Sequence, residues 1–298
     1  MGDTFVYEFF HEGFFGYSLE QDFTYFSFWH FLPIILLGVA IWLTWRFREK
    51  LANWKGEEHF RFILAAILIL NEGFYYWRLL YVGNGGGDST QKQLITYLPL
   101  QVCEWMAYLS AFMLMKKSKS MFDICYYVCL TLGIIPYLTP AVIMQTGPAY
   151  ARYYQFWLEH ILPVYAVFYM IFVHGFRANW RKVYKPFALL AVMATLAIIA
   201  NTNIPDANFM YLASGTAGDS IANILPESIP VRLVLYVGIL IVLFTLISLP
   251  HLIPELKAWR KKKKAASASA DPIAAEITET AIAEVTEETP PDPETKEE

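Results

Sequence analysis

Charge is scarce in this sequence. Only 17% of its 298 residues are Asp, Glu, Lys or Arg, against about a quarter in ordinary soluble domains. A surface that poor in charge excludes a cytosolic enzyme. With no basic excess overall, it excludes a nucleic-acid binder as well. Cysteine is scarcer still. The three present, Cys103, Cys125 and Cys129, make no disulfide framework, which excludes a small secreted scaffold. The first 27 residues hold no Lys or Arg, so the basic n-region of a signal peptide is missing. Gly85 to Gly87 are followed by no Lys-Ser or Lys-Thr, so they read as an outer turn and not as a phosphate cradle. The charge that exists is unevenly placed. Residues 265–298 carry ten Asp or Glu and one Lys, a net of −9, while the whole chain is −4. The body is therefore net positive. The tail has no aromatics and too little apolar surface to order itself.

What the sequence has in excess is apolar surface: 56% hydrophobic residues and 17% aromatics. A membrane crossing needs about 20 apolar residues. Seven segments qualify, at about 25–45, 61–81, 94–115, 121–144, 154–175, 185–204 and 231–250. The pattern predicts an all-α membrane protein with seven transmembrane helices. It divides into an outer N-terminal segment (1–24), a transmembrane domain (25–250), a basic cytoplasmic anchor (251–264) and a disordered acidic tail (265–298). Lys and Arg alternate between the connections. The first has Arg46, Arg48, Lys50, Lys55 and Arg61, the third Lys116, Lys117 and Lys119, and the fifth Arg177, Arg181, Lys182 and Lys185. The second has Lys92 alone, the fourth Arg152 alone, and the sixth none. The excess of positive charge on inner loops puts the N-terminus outside and the C-terminus in the cytoplasm, and the cell membrane is the expected location. Lys261 to Lys264 read as an anchor against the anionic inner leaflet. The long sixth connection, Ile204 to Pro230, reads as an outer lid.

Polar groups inside a span are expensive and need a reason. Asn71 and Glu72 sit near the middle of the second span, with Tyr75 and Tyr76 one turn outward. At about 1.5 Å per residue, Gln101, Cys103 and Glu104 lie roughly 10–15 Å below the outer surface, and Glu159 and His160 about 8–9 Å below it. Asn201 and Asn203 close the sixth span, and Trp29 and His30 open the first. Polar groups on five spans thus gather in the outer half of the bilayer, which implies a wet or ligand-filled cavity. Cys103 and His160 are the pair with chemical interest, because a base beside a thiol makes a nucleophile. Taken singly, such a Cys is more often a packing residue and such a His an interhelical hydrogen-bonder. Cys125 and Cys129, at i and i+4, read as packing residues. A metal would draw on His30, His160, Glu72 and Glu159, but no pair has the i, i+4 spacing of a helical zinc motif. No metal and no cofactor is expected. The aromatics Phe26, Phe28 and Trp29, and Tyr153, Tyr154, Phe156 and Trp157, read as interface belts.

The same residues carry a resemblance. Ser27-Phe-Trp-His30, Asn71-Glu72 with Tyr75 or Tyr76, Leu98-Pro-Leu-Gln-Val-Cys103, Thr139-Pro140, Phe156-Trp-Leu-Glu-His160, and Asn201 with Asn208-Phe-Met-Tyr-Leu212 occur in an order and spacing that resemble the YwaF-like family of bacterial integral membrane proteins over about residues 20–250. That family is distantly similar to a eukaryotic multi-pass phospholipid acyltransferase, in which a membrane Cys carries the acyl group and a His activates it. The resemblance implies these roles for Cys103 and His160. Glu104 and Glu159 depart from the pattern, which has small or uncharged residues there. Carboxylates at these positions either oppose ionisation of the thiol or orient and charge His160.

Two function classes follow. In the first, a lipid acyltransferase or lipid hydrolase, Cys103 attacks an acyl ester and His160 moves the proton. Glu72 or Asn201 then fixes the imidazole or supplies an oxyanion donor, and Asn71, Gln101 and His30 support the site or bind substrate. In the second, a transporter or small-molecule binding protein, Glu72 and His160 carry protons or cations from the same cavity. A structural or sensory protein whose tail recruits a partner is a third possibility. Membrane lipids are the expected partners in the first, and nucleic acid in none.

Overall fold

The computed structural model describes residues 22–82, 98–140, 147–204, 207–213 and 226–269. The Gly85 to Gly87 turn, nearly all of the 1–24 segment, the middle of the sixth connection and the acidic tail beyond Ser269 lie outside the described residues. The regular structure of those described is helical, without strands. The long helices are α1 (Phe28–Arg46), α3 (Glu57–Val82), α4 (Val102–Lys116), α5 (Lys119–Thr131), α7 (Ala151–His174), α8 (Tyr184–Asn203) and α9 (Ile229–Ser269). The short ones are α2 (Arg48–Ala52) and α6 (Ile135–Leu138). Contacts divide the chain into two units, residues 1–247 and 248–298, so that α9 begins in one and ends in the other.

Local chemistry explains several helix ends. Ser27 caps α1 by accepting the His30 N–H at 3.3 Å, and Ser118 caps α5 by accepting the Met121 N–H at 3.3 Å. At its far end α7 stops at Gly175, whose φ of +65° is the left-handed geometry that glycine adopts without a Cβ penalty. Ser269 ends a helix of 41 residues that contains Pro250 and Pro254.

In the first unit α7 is the centre. It packs against α1, α3, α4 and α5, and α3 packs along α4. Residues on every side of α7 are buried, among them Tyr153, Trp157, His160, Val164, Val167, Tyr169 and Met170. The outer helices face the other way. Ile35, Leu36 and Trp42 of α1, Val192 and Ile199 of α8, and Val234, Ile241 and Val242 of α9 are apolar and uncovered by protein. Such faces are stable against lipid tails, where helix association rests on packing and buried polar contacts.

Among the described residues, five stretches are long and apolar enough to cross a membrane: Phe28–Arg46, Lys119–Leu138, Ala151–His174, Trp180–Asn203 and Ile229–Lys263. The expectation of seven differs at two places. The expected span 61–81 lies within α3, a 26-residue helix whose Glu57, Glu58, Arg61, Glu72 and Arg78 lower its apolar character. The expected span 94–115 is helical, among its described residues, only from Val102, because Pro99 disfavours helix in the residue before it and Gln101 is extended at ψ 147°. The 15 residues of α4 measure about 22 Å at 1.5 Å each, against a hydrocarbon core of about 30 Å.

Contacts also set helix directions. The start of α3 meets the end of α7 through Glu57 and His174, and its middle meets the beginning of α7 through Asn71 and the Gln155 carbonyl. Arg61, early in α3, reaches the Leu114 and Met115 carbonyls late in α4. Hence α3 is antiparallel to both α4 and α7, and α4 and α7 run parallel.

Candidate functional site

The parallel pair brings the first turn of α4 beside the second and third turns of α7. Gln101 is the cap of α4. Its side chain accepts the Glu104 backbone N–H, while its own backbone N–H donates to Glu104 Oε2 at 3.0 Å. This reciprocal box makes Cys103 the second residue of the helix, in the turn where backbone N–H groups lack helical partners and carry partial positive charge.

On α7, residues Arg152, Gln155, Phe156, Glu159 and His160 form one face at intervals of three and four. The Arg152 guanidinium donates to Gln155 Oε1 and lies over the Tyr75 ring at 4.6 Å. Gln155 Nε2 donates to Glu159 Oε2 at 3.0 Å, and Arg152 Nη1 approaches the same oxygen at 3.7 Å. His160 Nδ1 is 2.7 Å from the Phe156 carbonyl oxygen. A carbonyl only accepts, so Nδ1 carries the proton and Nε2 is left with a lone pair. Cys103 Sγ, a Glu159 carboxylate oxygen and a His160 ring nitrogen all lie within 4.8 Å of one another.

Glu72 of α3 completes the cluster. It is 0% exposed, and neither of its oxygens has a hydrogen-bond partner. Glu104 and Glu159 are its electrostatic neighbours, as is Arg152. Among the described residues, these three buried carboxyls have one cation, Arg152, as electrostatic neighbour. Ionised carboxyls this deep need compensation, so the excess is met by protons or by a bound cation.

Of the residues singled out from sequence, Cys103, His160, Glu72, Asn71 and Gln101 come together here. Asn201 and His30 do other work. Asn201 clamps one residue of the following connection: Nδ2 donates to the Phe209 carbonyl at 3.1 Å and Oδ1 accepts the Phe209 N–H at 2.8 Å. With both ends of its amide engaged, Asn201 is poorly placed to serve as an oxyanion donor. Gln101 Oε1 accepts the next N–H, from Met210, at 3.0 Å. The Asn208 to Leu212 segment is thereby tied to the cap of the helix that bears Cys103, with Met210 and Tyr211 both held at a φ of +54°. His30 accepts the Phe26 N–H at Nδ1, 3.0 Å, and donates from Nε2 to the Tyr137 carbonyl, 2.7 Å. Both ring nitrogens are thus spent on backbone. Cys125 and Cys129 are buried on α5 beside Ser110 Oγ, at 3.8 and 3.7 Å, as packing residues would be.

Sequence reasoning missed Arg152 and Gln155 as site residues, although the Arg152, Gln155, Glu159 spacing marks one helical face. It also missed Arg232, which is buried and donates to the carbonyls of Tyr211 (2.6 Å), Ala213 (2.7 Å) and Pro226 (2.9 Å). At the opposite end of α7, Glu57 binds Arg61, Tyr169 and His174, which is a structural junction remote from Cys103.

A family model matches residues 25–248 of the chain, three-quarters of its length. The chain belongs to the TMEM164 family. The match takes in every residue of the cluster, from Glu72 to His160, and the Asn208 to Leu212 segment. It stops short of the basic helix end and the acidic tail. Neither the curated proteins nor the solved structures gave a match. The membership makes the chain a multi-pass membrane protein, in keeping with its apolar helices, and its surroundings are lipid.

Proposed function

We propose that this TMEM164-family member is a thiol-dependent lipid acyltransferase or lipid hydrolase, with Cys103 as nucleophile and His160 as base. The convergence of Cys103 Sγ, Glu159 and His160 within 4.8 Å, with the His160 tautomer set by Phe156, carries this reading. As Cys103 Sγ attacks an acyl ester, His160 Nε2 takes the thiol proton and then delivers it to the departing alcohol oxygen. The acyl group is left on sulfur as a thioester. A second alcohol, or water, then attacks the thioester; His160 takes that proton and returns it to the thiol. The Cys103 N–H, in the first turn of α4, is placed to stabilise the oxyanion. Glu159 stabilises the imidazolium that forms once His160 has taken the thiol proton. The sequence resemblance to YwaF-like proteins and to a phospholipid acyltransferase supports the same roles.

The full topology in this reading has seven crossings in the cell membrane, N-terminus outside and C-terminus cytoplasmic. α3 and α4 are the two less apolar members, their polar faces turned to each other and to α7. Ile63, Ile67 and Leu70, uncovered on α3, support that crossing. The Asn208 to Leu212 segment acts as a lid over the α4 cap.

Turnover of a radiolabelled phospholipid by the purified protein tests the reading. Cys103→Ala and His160→Ala are each expected to abolish it while insertion and folding persist. A transporter reading draws on the unpartnered Glu72. It predicts instead that Glu72→Gln abolishes function and Cys103→Ser leaves it intact.

A further inference from the structure

We propose that Cys103, Glu159 and His160 also form a binding site for one zinc-like divalent cation. The three donor atoms, sulfur, carboxylate oxygen and imidazole nitrogen, lie within 4.8 Å of one another. Bonds of about 2.0–2.3 Å to a tetrahedral zinc ion put two ligand atoms roughly 3.3–3.8 Å apart. Adjustments of about 1 Å, within the range of side-chain torsions, would therefore close the site. Donors from two helices escape the i, i+4 spacing rule, which is why the sequence did not reveal this set.

The surroundings match what a metal ligand set requires. His160 donates its Nδ1–H to the Phe156 carbonyl, the outer contact that fixes the tautomer and aims the other nitrogen at a metal. Gln155 and Arg152 hold Glu159 Oε2 and leave the carboxylate its second oxygen. Glu72, fully buried with two unpartnered oxygens and with Glu159 as an electrostatic neighbour, independently points to a cationic ligand in this neighbourhood. Among the described residues, three carboxyls face one arginine, an excess of acid that a cation relieves. The sulfur and nitrogen donors favour zinc over magnesium or calcium, which take oxygen alone.

Binding replaces the thiol proton. Cys–SH and M²⁺ give Cys–S–M⁺ and one H⁺, which is released to the medium. Nothing in this requires acyl transfer. If acyl transfer does occur at Cys103, ion and acyl group are alternative occupants of one sulfur, and the ion inhibits.

The test uses the purified full chain in detergent, stripped with a chelator and free of added lipid substrate. Zinc content is measured after gel filtration. Iodoacetamide modification of Cys103 is followed by peptide mass spectrometry with zinc, with magnesium and with neither. The expected result is one zinc per chain, lost in Cys103→Ser, with Cys103 alkylation slowed at least tenfold by zinc alone and restored by chelator. Glu159→Gln and His160→Ala are expected to weaken zinc affinity at least tenfold. The wild-type comparison of zinc with magnesium needs no variant to fold. No zinc retained by the wild type, or zinc retained equally by Cys103→Ser, would overturn the proposal, as would protection that survives in both Glu159→Gln and His160→Ala. An absent acyl adduct would not touch it.

Discussion

Replacing Glu57 by Gln removes one charge from the junction of α3, α4 and α7 and preserves its shape. Glu57 Oε1 accepts from Arg61 Nε at 3.2 Å, Tyr169 Oη at 3.1 Å and His174 Nε2 at 2.8 Å, and Oε2 faces Lys117 Nζ at 3.6 Å. The amide keeps the Tyr169 bond and loses the ionic contacts. Removing one partner of a buried pair costs about 3–5 kcal/mol. The Arg61 side chain, 3% exposed, fits that case. Two features reduce the figure. Arg61 retains the Leu114 and Met115 carbonyls, and Lys117, 45% exposed, belongs with surface pairs worth about 0–1 kcal/mol. A loss of roughly 2–4 kcal/mol is therefore expected. The pH dependence has a sign. Glu57 lies before the apolar stretch of α3. Burial works against its charge, but the His174 hydrogen bond and the His174 and Arg61 charges outweigh burial and hold the carboxyl below its ordinary value. A group held low contributes stability that is fully present above the unfolded value, about 4.3, and is lost as pH falls through the folded one. The assay is reversible unfolding in mixed micelles, wild type against Glu57→Gln, from pH 7.5 down to pH 3.5. The difference should shrink as pH falls below about 4.3 and through the folded carboxyl value. A difference below about 1 kcal/mol at pH 7, or one that does not shrink between about pH 4.3 and pH 3.5, would refute the reasoning.

His30→Ala removes a strut between the start of α1 and the Tyr137 carbonyl. It is expected to lower stability by about 1–3 kcal/mol and leave turnover per folded molecule unchanged, as unfolding midpoints and specific activity would show. Arg232→Met frees the carbonyls of Tyr211, Ala213 and Pro226, each bond to a charged group being worth about 1.5–3 kcal/mol. Hydrogen exchange across residues 207–213 should quicken at least tenfold, while Arg232→Lys, which keeps a cation with fewer donors, should fall between.

The Cys103 and His160 neighbourhood was legible because α4 and α7 run parallel, so depth counted along each helix is measured from the same side. The extents of α1, α7 and α8 were legible because lipid demands a nearly uniform apolar surface, which hydropathy reports directly, whereas α9 runs on to Ser269, well past the expected span end at 250. The start of α4 was not. Leu98 and Leu100 are as apolar as helix residues, and only the backbone consequences of Pro99 and the Gln101 cap move the helix start to Val102. Arg232 and Glu57 escaped notice because each lies at or just outside the end of an expected span, where a charged residue is ordinary. Their partners, 19 to 21 residues away for Arg232 at the Ala213 and Tyr211 carbonyls and 117 away at His174 for Glu57, leave no local pattern. His30 was visible as an unusual polar residue, but its use by two backbone groups depends on how α1 meets Tyr137, which no spacing encodes.

The most direct measurement is the intact mass of the purified, chelator-treated protein after incubation with mixed phospholipids, beside Cys103→Ser and His160→Ala. The account predicts an acyl-sized mass gain on the wild type that hydroxylamine removes and that Cys103→Ser abolishes. No adduct on the wild type under conditions that yield lipid turnover, or an adduct that persists in Cys103→Ser, would contradict a thioester at Cys103.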